Sequence, residues 1–78
     1  MNELVLKEMN WDYIIYQYKP NGKGDSGEIV YDLKTDEIIK VSNAPDDETG
    51  YYARKAELKV KDCIKRKVLP MQCIQAWY

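Results

Sequence analysis

A chain of 78 residues with a formal charge of −1, no histidine and two cysteines has room for one small domain spanning 1–78, and the charge balance gives no bulk attraction to nucleic acid or membrane. Without an imidazole, Ser–His and Cys–His catalysis are excluded. Two cysteines, Cys63 and Cys73, are too few for a disulfide scaffold and read as reduced, buried hydrophobes.

In chain order, Leu4, Val5 and Leu6 suggest a short first strand. Residues 12–19 (DYIIYQYK) predict a stronger one, because Tyr and Ile suit a pleated surface. Alternation puts Trp11, Tyr13 and Ile15 on one face and Ile14, Tyr16 and Tyr18 on the other, so this strand is apolar on both sides. Pro20 ends it. Residues 21–27 (NGKGDSG) have the composition of a turn. Residues 28–33 and 37–41 then read as a hairpin whose connection needs a left-handed residue, taken by Asp36.

Residues 43–50 (NAPDDETG) break the strand pattern and carry helix-start chemistry in Asp46, Asp47, Glu48 and Thr49. From Tyr51 to Lys67, Tyr52, Ala56, Val60, Cys63 and Ile64 recur at spacings of three and four and make one apolar stripe. Residues 57–61 also alternate like a strand, but the length, acidic start and basic end favour a helix. Pro70 follows its end, and residues 71–78 form a closing strand or a packed tail. Strands followed by a helix define an α+β class: a small antiparallel sheet of three to five strands with one amphipathic helix packed on one face. The sheet's other face is then expected to carry tyrosines with no second helix to cover them.

Three candidate chemistries compete with plainer readings. Gly22, Gly24 and Gly27 spell a literal GxGxxG, but a strand follows where dinucleotide binding needs a helix N-terminus. A strand–glycine loop–strand order also occurs over ATP in protein kinases, but no HRD or DFG triplet is present and the chain is too short for a kinase core. The acids Asp25, Asp32, Asp36, Asp46, Asp47 and Glu48 lack the alternate spacing of a calcium loop. The basic run of the helix, residues 54–67, supplies an anionic-partner patch of Lys55, Lys59, Lys65, Arg66 and Lys67. Against that, Glu57–Lys61 and Asp62–Arg66 are favourable i,i+4 pairs, and cations suit a helix C-terminus.

Charge is uneven along the chain. Residues 25–50 hold eight acids and two bases (−6), and residues 51–78 hold seven bases and two acids (+5). Seven Tyr and two Trp with no Phe favour boundaries and contact surfaces. The expected function is a non-enzymatic protein-interaction module, self-associating, with Tyr13, Tyr16, Tyr18, Tyr31 and Trp77 as its interface. The alternative is a small nucleic-acid-binding regulator acting through the basic helix. No cofactor or metal is implied. The first ten residues lack a secretory pattern, and no stretch approaches the ~18 apolar residues of a membrane span, so the expected location is the cytoplasm.

Overall fold

The computed structural model describes residues 1–76; Trp77, one of the expected interface residues, lies outside them. The described chain forms β1 (Asn2–Met9), β2 (Tyr13–Pro20), β3 (Gly27–Asp32), β4 (Glu37–Ser42), α1 (Tyr51–Arg66) and β5 (Gln72–Gln75). The five strands make one sheet in the order β4-β3-β2-β1-β5, with every neighbouring pair antiparallel. Three hairpin connections build β1 to β4. The helix then carries the chain back across the sheet and delivers β5 to the far edge, beside β1. This is the expected α+β layout, with the closing segment resolved as a short strand.

The first two strands differ from their expected bounds for local reasons, and β3 and β4 are each displaced or extended by one residue. β1 runs to Met9 because an irregularity between Leu6 and Glu8 lets the strand turn and continue pairing. β2 starts at Tyr13, which leaves Trp11 in the turn. Pro20 remains in the strand as its last residue, opposite Asn2, where the missing N–H costs nothing in the interior of the ladder.

The register selects one face for burial. Leu4 on β1, Ile14, Tyr16 and Tyr18 on β2, and Ile29 and Tyr31 on β3 share the side that α1 covers, and all are buried. The helix meets them with Ala53, Ala56, Val60 and Cys63. Large rings on the sheet thus face small side chains on the helix, which lets the two layers approach closely. Gly27 belongs to the same fit. It pairs with Tyr18, and a Cβ at Gly27 would lie 2.2 Å from that ring, so nothing larger than hydrogen is tolerated. Gly22 and Gly24 have φ of 70° and 74° in the preceding turn. The glycine motif is therefore explained by turn geometry and one ring contact.

Here the structure corrects the expectation for the tyrosines. Tyr16, Tyr18 and Tyr31 lie under the helix and cannot form an exposed contact surface. Each phenol is buried with its hydroxyl satisfied: Tyr16 donates to the Pro70 carbonyl at 2.7 Å, Tyr18 donates to Asp47 Oδ2 at 2.8 Å, and Tyr31 donates to Asp36. The polar tip of each ring reaches the rim of the core, so the ring itself can be fully covered. Of the expected set only Tyr13 is exposed among the described residues. The open face is mixed. Val5, Ile15 and Val30 are interleaved with Glu3, Gln17, Lys19 and Glu28, and a 2.9 Å ion pair from Lys7 to Glu28 spans β2. Val30, on this face, retains only 8% exposure.

The helix start also differs from its expectation. Gly50, at φ 75°, occupies the N-cap and offers no side chain, and the first turn contains no acid. Capping comes from Asp47, three residues upstream and 2% exposed. Its carboxylate accepts from the Tyr52 N–H at 3.2 Å, the Ala53 N–H at 2.8 Å and the Tyr18 hydroxyl. The Tyr18 oxygen in turn accepts from the Ala44 N–H at 2.9 Å. At the other end Lys67 adopts φ 58°, while its N–H donates to Ile64 and that of Val68 donates to Cys63, a Schellman closure. Asp36 takes φ 59°, the left-handed conformation expected of it.

Replacing Asp47 with Ala removes the acceptor for three donors, two of them at a helix terminus, and is expected to cost about 3 kcal/mol. Asp47→Asn keeps one acceptor oxygen and should cost less; urea unfolding followed by circular dichroism measures both. Alkaline pH offers a second check. The hydroxyls of Tyr16 and Tyr18 are both pushed up to about 12, first by burial; for Tyr18 the Ala44 N–H opposes the rise and Asp47 adds to it. A folded state that binds these protons more tightly than the unfolded chain keeps the full contribution below about pH 10 and loses it as pH rises toward 12. Unfolding midpoints should therefore fall across that window, and Tyr16→Phe should flatten the fall.

Candidate functional site

The most exposed large apolar side chain of the described residues is Trp11, at 96%. It sits in the turn between β1 and β2, and that turn is held rigidly. The Asn10 Oδ1 accepts from the N–H groups of Asp12 and Tyr13, both at 2.8 Å, and the Asn10 N–H donates to the Tyr13 carbonyl at 3.0 Å. This is the Asx geometry for which Asn is suited. The turn is tied to the β3–β4 turn through the Leu33 N–H, which donates to the Asp12 carbonyl at 2.9 Å, and through a 3.2 Å ion pair between Lys34 and Asp12.

A third segment closes the same end of the molecule. After the helix, residues 68–71 are anchored by the Tyr16–Pro70 hydrogen bond and by the Leu6 N–H, which donates to the Met71 carbonyl at 2.8 Å. Between these three segments lies an apolar cleft of about 450 Å³, lined by Met9, Asn10, Trp11, Ile14, Leu33 and Leu69. Its floor, Ile14, is buried; Met9 and Leu33 are exposed on its walls, and Val68 and Met71, exposed as well, flank Leu69 in the chain.

A larger groove, about 630 Å³, runs between the helix and the β3–β4 hairpin. Asp36 and Glu37 on the hairpin face Glu57, Lys61 and Lys65 on the helix, with Tyr31 and Ile38 on the sheet side. Its charges are open to solvent, and the hydrogen bond from Tyr31 to Asp36 on its wall pushes the Tyr31 hydroxyl up to about 12, away from any role as a nucleophile near neutral pH. The groove has more volume than the cleft but less apolar surface for a partner to cover, so the Trp11 cleft is the stronger site.

The structure divides the expected anionic-partner patch. At about 100° per residue, Lys55, Lys59 and Arg66 lie along one flank of α1, whereas Lys65 lies on the other with Lys61. Lys67 stands beyond the helix end. Arg66 pairs with Asp62 at 3.2 Å as the i,i+4 spacing predicts, and Lys55 lies 5.6 Å from the centre of the Tyr51 ring. Lys65 faces the carboxylates of the groove. The five cations do not converge on one surface.

Cys63 is buried and Cys73 half-buried, both as free thiols, and burial pushes the Cys73 thiol up, away from reactivity. Among the described residues there is no group of three or more Asp, Glu, Cys or His side chains arranged to hold a metal ion, and no helix long and apolar enough to cross a membrane. Comparison with protein-family models, curated proteins and solved structures yields no match.

The signal for Trp11 was present in the sequence as an aromatic beside a turn-forming Asn. Sequence alternation assigned it to the strand, and only the register of β2 shows that it stands clear of the sheet. If Trp11 contributes to a surface and not to the fold, Trp11→Ala should leave the urea unfolding free energy within about 0.5 kcal/mol of the parent, in contrast to the buried tyrosines.

Proposed function

We propose that this chain is a non-enzymatic protein-interaction module whose contact surface is the Trp11 cleft. One observation carries the reading: a fully exposed indole held on a rigid turn beside an apolar cleft. Exposed Trp is costly to leave in water and is enriched among the residues that dominate protein interfaces. A turn whose backbone is already ordered by hydrogen bonds has less chain to order on binding.

Other surfaces support this choice by being less suited. The outer edge of β4 is interrupted by an irregularity opposite Val30 and Tyr31 and carries Lys40, features that discourage strand addition. The other edge, β5, is four residues long. The open sheet face, with Tyr13 at its margin, is broken up by charges. Nucleic-acid binding through the basic helix is the weaker reading, since its cations sit on separate flanks and carboxylates line the groove beside Lys61 and Lys65. Two free thiols, one buried, fit a reducing compartment, and we assign the cytoplasm on that ground.

Placing a photo-crosslinking amino acid at position 11, and in a control at the exposed helix position Leu58, tests the reading in the expressing cell. Discrete protein adducts are expected from position 11 and none from position 58. Equal patterns from both positions, or no adduct from position 11, would reject it.

A further inference from the structure

We propose that Asn21 is a self-modification site: the backbone nitrogen of Gly22 attacks its side-chain amide, ammonia leaves to give a cyclic imide, and water opens the imide to aspartate or isoaspartate. The chain has four asparagines, Asn2, Asn10, Asn21 and Asn43, and only Asn21 is followed by glycine. At the other three the following nitrogen is shielded by the side chain of its own residue, Glu3, Trp11 or Ala44. Gly22 has none, and the nearest neighbour of a Cβ placed there would be Glu3 Oε2 at 3.7 Å, so the space beside its nitrogen is unfilled.

The surroundings of the amide match the charges that the attack creates. Asn21 and Gly22 take φ of 55° and 70°, the paired positive values of an Asn-Gly turn. The Met1 nitrogen donates to Asn21 Oδ1 at 3.2 Å, the atom on which negative charge gathers when Cγ becomes tetrahedral. On the other side of the amide, Nδ2 donates to the Tyr52 hydroxyl at 3.3 Å. Once Cγ is tetrahedral that nitrogen gains a lone pair, and the hydroxyl can give it the proton with which it leaves as ammonia. Both partners are held in place. Tyr52 packs against the core and its N–H donates to Asp47, and the Asn21 N–H donates to the Met1 carbonyl at 2.7 Å.

The step balances with water as the only co-reactant. The Gly22 nitrogen gives its proton to water and bonds to Cγ, the Cγ–Nδ2 bond breaks, and Tyr52 recovers a proton from water. Water then adds to the imide. Cleavage at Cγ leaves aspartate, and cleavage at the backbone carbonyl carbon leaves isoaspartate. One bond guards the site: the Gly22 N–H donates to the Lys19 carbonyl at 3.0 Å and must be released before attack, which an exposed turn permits. Aspartate sets a carboxylate beside the Met1 nitrogen and strengthens that contact. Isoaspartate lengthens the backbone between residues 21 and 22. It draws the Lys23 N–H away from the Pro20 carbonyl, now 3.1 Å distant, and loosens the tie between this turn and β1.

Incubation of the full chain in mildly alkaline buffer, followed by peptide mapping with mass spectrometry and isoaspartate detection, tests the proposal. The folded parent is expected to convert at Asn21 to both products while Asn2, Asn10 and Asn43 stay intact. Gly22→Ala and Tyr52→Phe should each slow the conversion at least about tenfold. A purely structural loss at Tyr52 would loosen the turn and speed the reaction instead, so the sign of the change separates the two roles. Circular dichroism confirms that each variant is folded, and the parent chain in urea supplies the unfolded rate. An Asn21 that stays intact in the folded parent while the urea-unfolded chain converts overturns the proposal, as does a folded Tyr52→Phe chain that converts as fast as the parent.

Discussion

The Asp47 carboxylate is the interaction on which the arrangement of layers depends. It lies buried between sheet and helix, accepting from Tyr18 on the central strand and from two N–H groups in the first turn of α1. A buried carboxylate is tolerable only when its lone pairs are engaged, and here a hydroxyl and two amides engage them. The helix N-terminus adds a favourable local field for the same charge. The helix is thereby fixed in position at its start, and the residues that follow inherit a register in which Ala53, Ala56, Val60 and Cys63 face the rings of the sheet. The loop before the helix is bound into the same network through the Ala44 N–H.

Other polar contacts extend this fixation toward the far edge of the sheet. The buried Asn2 donates to the Tyr52 carbonyl at 3.0 Å and to Gln75 at 3.2 Å, and Gln75 donates to the Lys55 carbonyl at 2.8 Å. β1, β5 and the first turns of the helix are thus joined at one end of the molecule. At the opposite end the segments around Trp11 are joined by backbone bonds, the Asn10 and Tyr16 side-chain hydrogen bonds and one exposed ion pair, and apolar side chains are left uncovered. Polar closure at one end and an apolar opening at the other give the molecule a direction. The Trp11 cleft is where the packing of a single chain runs out.

That asymmetry follows from size. A chain this short has one helix to spend on one sheet face, and its sixteen residues cover the middle of the sheet but not the turns beyond it. The open face avoids the same exposure by alternating charged and apolar residues. Lys7 and Glu28 bridge over β2 there, and the long stems of such residues can shield neighbouring apolar groups. Exposed apolar side chains also occur on β4, the helix and β5 (Ile39, Leu58, Ile74), but at the Trp11 end they border an apolar cleft.

The sequence by itself determined the element order, the helix and its stripe, the hairpin with Asp36 in a left-handed turn, and the alternation that separates Ile14, Tyr16 and Tyr18 from Tyr13 and Ile15. These are local properties, since periodicity and turn chemistry act over a few residues. Tertiary structure alone decided which side of the sheet the helix covers. That choice buried Tyr16, Tyr18 and Tyr31, which composition had suggested for a surface, and left Trp11 in water. It also chose Asp47 as the cap from among four neighbouring candidates. That choice, like the burial of Tyr18, depends on partners 26 and 29 positions apart, Tyr18 with Ala44 and Asp47, and no local pattern records such a pairing.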